Sequence, residues 1–74
     1  MFDYRFFRGL IRGKGYSEGT FAKKIGITRQ SFSNKVRNVS SFTQDEMLKT
    51  KIFLNLSDKD LVKCFFTKVD EVRK

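Results

Sequence analysis

This sequence predicts an all-α fold of five short helices, and three observations predict it. Proline is absent, and no stretch sustains the alternation of apolar and polar residues that marks a half-buried strand. Polar residues able to cap a helix recur along the chain, each flanked by apolar residues at the spacing of a hydrophobic staple. Glycine and asparagine, which close helices in the left-handed conformation, lie between those starts. With 74 residues the chain is too short for two independent cores, so residues 1–74 read as a single domain.

Asp3 caps the first helix, with Phe2 and Phe7 as its staple, and Gly13-Lys14-Gly15 ends it. Ser17 caps the second between Tyr16 and Phe21, and Gly26 closes it. Thr28 caps the third between Ile27 and Phe32, and Asn38-Val39-Ser40-Ser41 separates it from the fourth. Thr43 caps the fourth between Phe42 and Met47, with Glu46 completing a capping box and Asn55 closing the helix. Ser57 caps the fifth between Leu56 and Leu61. Helix lengths of about eight to twelve residues result, ordinary for a small bundle.

Spacing assigns the core to Phe6, Phe7, Leu10 and Ile11 on the first helix, then Phe21, Ala22 and Ile25, then Phe32 and Val36. The fourth helix adds Met47, Leu48, Ile52 and Phe53, and the fifth adds Leu61, Val62 and Phe65. Nine phenylalanines supply the large rings by which a small domain buries enough area.

Composition narrows the function. Histidine is absent and Cys64 stands alone, so no disulfide, zinc site or other metal site is expected, and no cofactor. Cys64 beside Phe65 and Phe66, without a histidine to activate it, reads as a small buried apolar residue and not as a nucleophile; an enzyme is not expected. No apolar run approaches the roughly 18 residues a membrane span needs. The first residues lack the order of a secretory signal, and the basic residues do not line one face of a long amphipathic helix. A reducing, cytoplasmic setting fits, with no membrane partner. The net charge is +8, and residues 1–38 hold nine Lys/Arg against two acids. That excess favours a polyanionic partner, most simply DNA phosphate.

The excess coincides with the most informative stretch, residues 17–33. Phe21 and Ile25 lie four apart on one helix, and Phe32 and Val36 four apart on the next. Ala22 permits close approach of the two helices, Gly26 supplies the left-handed residue, Ile27 fills the turn and Thr28 caps the second helix of the pair. That order of residues is what a helix-turn-helix requires. The recognition helix then runs from about Arg29 to Arg37. Its outer face offers Arg29, Gln30, Ser33 and Asn34 to base edges, Arg suiting guanine and Gln or Asn suiting adenine. Phosphate contacts are expected from Lys14, Lys23, Thr28, Ser31, Lys35, Arg37, Asn38, Ser41 and Thr43. Glu18 argues the other way, because a carboxylate at the start of the second helix repels phosphate.

Residues 17–38 resemble the helix-turn-helix of the phage repressor and Cro family, also called the XRE family, in Ser17, Phe21-Ala22, Gly26-Ile27-Thr28 and Phe32-Ser33. The closing run Cys64-Phe65-Phe66-Thr67-Lys68-Val69 is similar to the end of small Cro-like proteins from phages and prophages of Gram-positive bacteria. The resemblance implies a compact lambda-repressor-like bundle that binds double-stranded operator DNA as a homodimer on the nucleoid of a bacterial host. It also implies base contacts from Arg29, Gln30 and Asn34. The chain departs from the family at Glu18, where Gln is usual, and at Lys35, where an aliphatic residue is usual.

A second class of function fits the same surface: an antirepressor or modulator that turns it against acidic side chains of a phage repressor protein. Charge reversal at Arg29 separates the two, abolishing operator binding in one and repressor binding in the other. Phe65 and Phe66 are adjacent and cannot both face one core, which leaves one of them for a dimer interface.

Overall fold

In the computed structural model, which describes residues 1–69, the backbone forms α1 (Arg5–Gly13), α2 (Glu18–Lys24), α3 (Arg29–Val36), α4 (Gln44–Leu54) and α5 (Asp58–Phe65). These five helices pack as an all-α bundle. No helix among the described residues is long and apolar enough to cross a membrane.

Four helix starts rest on the residues whose chemistry marks them. Ser17, Thr28, Thr43 and Ser57 each accept a hydrogen bond from the backbone N–H three residues on. At Thr43 the bond is reciprocated, for Glu46 Oε1 accepts the Thr43 N–H at 2.9 Å. The first helix departs from expectation. Its cap position is Tyr4, which makes no side-chain capping bond, and the helix begins one residue later than Asp3 would place it. The cause is burial: the Tyr4 ring packs edge-on to Phe42 at 5.3 Å and to Phe7 at 6.4 Å. Asp3 instead accepts the Arg5 N–H at 3.0 Å and clasps the Arg5 guanidinium, which holds its carboxyl at a pKa of about 2.

Four helix ends share one device. Gly15, Gly26, Asn38 and Asn55 take positive φ. In each case the next N–H reaches back over the last turn: Tyr16 to the Ile11 carbonyl, Ile27 to Ala22, Val39 to Asn34 and Leu56 to Lys51, at 2.8–3.1 Å. This is the Schellman arrangement, which satisfies the orphan carbonyls of a helix end. Tyr16, Ile27 and Leu56 fold onto the core from that position, whereas Val39 stays exposed.

The core is built around Phe7. Its ring meets Phe21 at 5.7 Å, Phe32 at 5.9 Å, Phe42 at 5.6 Å and Phe65 at 4.8 Å, mostly edge to face or tilted. Such pairs add roughly 0.5–1.5 kcal/mol each beyond area burial. Ile11, Ala22, Ile25, Val36, Leu54 and Cys64 complete the interior.

The core expected on α4 and α5 is corrected in part. Leu48, Ile52 and Val62 are exposed, while Leu54 and Leu56 lie inside. Helix α4 is apolar around much of its circumference, so spacing alone does not fix which stripe turns inward. Thr50 settles on the inner face at no loss, because its hydroxyl donates to the Glu46 carbonyl at 2.8 Å. On α5 the inward positions fall to Cys64 and Phe65, and burial pushes the Cys64 thiol up to about 12, helped by the charge of Asp60.

The two flanks of the bundle are joined. Asp3 N–H donates to the Thr67 carbonyl at 2.7 Å and Val69 N–H to the Met1 carbonyl at 3.1 Å, around an antiparallel bridge of Phe2 with Lys68. Asn38 clamps the other edge of Phe2: its Oδ1 accepts the Phe2 N–H at 2.8 Å and its Nδ2 donates to the Phe2 carbonyl at 2.9 Å.

Candidate functional site

The candidate surface is the outer side of α3 with the turn that precedes it. Ile25 and Gly26 close α2, Ile27 fills the turn half-buried, and Thr28 starts α3 by accepting the Ser31 N–H at 3.0 Å. Phe32 and Val36 pin the inner face of α3 to the aromatic core. Arg29, Gln30 and Arg37 therefore project into solvent, with Ser33 and Asn34 half-exposed between them, and Arg29, Gln30 and Ser33 line one shallow depression. The Arg29 stem runs over Gly19 of α2, where an added Cβ would sit 3.4 Å from Arg29 Cδ. No side chain at position 19 separates the two helices there.

The polar groups of this face form a chain. Gln30 Nε2 donates to Asn34 Oδ1 at 3.1 Å, and the Arg37 guanidinium donates to the same oxygen at 2.9 Å. Arg37 also reaches the Ser33 carbonyl, at 3.4 Å.

The flanking residues divide into two groups. Lys14, Lys23, Thr28, Ser41 and Thr43 are exposed and Ser31 is half-exposed. Lys35 is not among them. It is only 8% exposed, and its ammonium donates to the Ser41 carbonyl at 2.8 Å and lies 3.4 Å from Glu46 Oε1. The phosphate contact expected of Lys35 is thus withdrawn, because the charge serves to join α3 to the cap of α4. Asn38 is withdrawn too, since its amide is committed to the Phe2 backbone.

Glu18 is neutralised. Arg8 of α1 grips its carboxylate through Nε at 2.6 Å and Nη2 at 3.2 Å. Nothing in the sequence marks that pairing, which joins residues ten apart on different helices. Of the two candidate dimer-interface rings, Phe65 is 3% exposed and belongs to the core, and Phe66, at 52%, is the one left at the surface. The Phe66 ring stands edge-on to Phe2 at 6.4 Å.

A second depression is lined by Phe2, Asp3, Tyr4, Arg5, Arg8, Val36 and Val69, and shares no residue with the first. Its charged groups are engaged with one another or with Glu18.

Fold and surface together define a small all-α domain that presents a basic, amide-bearing helix face. Residues 1–68 match the model of the family described as "Protein of unknown function (DUF739)", and the chain belongs to that family. No curated protein matches the sequence.

Proposed function

We propose that this protein is a Cro-like transcriptional regulator of phage or prophage type, in which α2 and α3 form a helix-turn-helix and α3 enters the major groove of operator DNA. The observation that carries this reading is the outer face of α3, where Arg29, Gln30, Ser33 and Asn34 project together from a helix held by Phe32 and Val36. Guanidinium and amide groups at this spacing suit adjacent base pairs. Lys14, Lys23, Arg37 and the hydroxyls of Thr28, Ser31, Ser41 and Thr43 are exposed or half-exposed and suit phosphates. The repulsion that Glu18 alone would exert is offset by Arg8. The exposed Phe66 ring offers a surface for a two-fold dimer on a palindromic site, and the role places the protein on the nucleoid in a bacterial cytoplasm.

The test is fluorescence anisotropy with DNA flanking the gene, against scrambled DNA, across a salt series. A large preference for the flanking DNA at physiological salt is expected, reduced at least tenfold by Arg29→Glu. Lys23→Ala is expected to weaken both DNAs alike and to lower the salt slope by about one. Weak binding without preference, fading steeply with salt, overturns the reading. A phage repressor that binds the wild type but not Arg29→Glu then identifies a modulator acting through the same face.

A further inference from the structure

Arg37 sets the polarity of the amides on α3. A guanidinium donates hydrogen bonds and accepts none. Arg37 Nη2 lies 2.9 Å from the side-chain amide of Asn34, so the amide oxygen must face it. That oxygen also receives Gln30 Nε2 at 3.1 Å. With both lone pairs of Oδ1 occupied, Asn34 turns only its NH2 outward, two donors with no acceptor beside them. Gln30, having given one N–H to Asn34, keeps its Oε1 and a second N–H, an acceptor next to a donor.

We propose that the Arg37–Asn34–Gln30 chain makes Asn34 a reader of guanine and Gln30 a reader of adenine. The proposal rests on the operator-reading function argued above. An unconstrained asparagine suits adenine, accepting from N6 while donating to N7. Here the adenine amino group would meet the Asn34 NH2, donor against donor. Guanine presents two acceptors, O6 and N7, and takes both Asn34 hydrogens. Gln30 retains the mixed pair that adenine requires. Arg37 acts through Asn34, and so is a positioning residue for specificity in addition to any phosphate it meets.

The experiment is selection from randomised duplex DNA with the full chain at low salt, where phosphate attraction keeps weakened variants bound. The wild type should enrich a site with guanine at one position, and replacing that base by adenine should cost roughly 5- to 150-fold in affinity, the range of one good bidentate contact. Arg37→Met frees one lone pair of Oδ1, which can then accept from adenine, and should move that position towards adenine, whereas Arg37→Lys, still a donor only, should keep guanine. Asn34→Asp supplies a second, independent variant: it retains acceptors for Arg37 and Gln30 but has no NH2, and should lose the guanine preference for cytosine. A guanine preference unchanged in Arg37→Met or in Asn34→Asp overturns the proposal while leaving the operator reading intact. A wild type that enriches no sequence overturns both. Circular dichroism of each variant checks that these exposed or half-exposed substitutions leave the fold unchanged.

Discussion

Replacing Asn38 separates two demands that the fold places on one residue. Its backbone is left-handed, with φ of 65°, and its side chain makes two hydrogen bonds of 2.8 and 2.9 Å to the backbone of Phe2. Asn38→Gly keeps the backbone unstrained and removes both bonds. At about 1 kcal/mol per bond, with Phe2 only partly buried and able to recover some solvation, the cost is about 2 kcal/mol. Asn38→Ala removes the same bonds and adds a Cβ in the left-handed region, a further 1–2 kcal/mol or so. The order of stability is therefore wild type, then glycine, then alanine. For a domain of this size the glycine variant should melt roughly 8–16 °C below the wild type. Urea and thermal denaturation followed by circular dichroism read both steps. A glycine variant within about 0.5 kcal/mol of the wild type would show that the amide holds nothing. An alanine variant no worse than glycine would remove the argument from backbone conformation.

Three further predictions concern the interior. Phe7→Ala should cost about 3–5 kcal/mol, a large part of the roughly 4–11 kcal/mol open to a domain this small, and chemical denaturation should find it largely unfolded at modest urea. A double-mutant cycle of Lys35→Met with Glu46→Gln should return a coupling of about 0.5–3 kcal/mol, since Gln preserves the capping bond and isolates the ion pair; a value near zero would leave Lys35 bound only to Ser41. Cys64 should resist thiol reagents in the native state and react on unfolding. Because the thiol is held neutral, up to about 12, in the fold but ionises near 9 in the unfolded chain, stability should fall as pH rises above 9; an equilibrium stability that stays flat between pH 9 and 11 would contradict its burial.

Much of the fold was legible because much of it is local. Ser17, Thr28, Thr43 and Ser57 cap helices through bonds that span three residues, and Gly26 and Asn55 close them in a conformation few side chains tolerate. The inner stripe of α3 was legible too, since Phe32 and Val36 are its sole large apolar residues. On α4 the same reasoning failed, where apolar residues on several faces left Leu48 and Ile52 as plausible as Leu54. Tyr4 and Phe42 enter the core from outside any helix, where no period announces them. At the candidate site, Arg29, Gln30, Ser33 and Asn34 follow from helical spacing alone. Lys35 and Asn38 looked like surface groups because their partners, Ser41 with Glu46 and the Phe2 backbone, are set by tertiary contacts that residue type does not encode.

The ring cluster has a consequence for how the molecule opens. Rings from α2, α3, the α3–α4 connection and α5 all converge on Phe7 of α1, so each segment finds its aromatic partners only when the others are in place. Helix α4 sends no ring to Phe7 itself, and its Phe53 meets Phe21 and Tyr16 instead. In native-state hydrogen exchange, the amides of α1, α3 and α5 should share one opening free energy close to that of global unfolding, with α4 exchanging first. Loosening α3 by itself would cost the contacts of Phe32 with Phe7, Phe21 and Phe42 together. On that expectation, the side chains on its outer face are carried by a helix whose opening is shared with the rest of the fold.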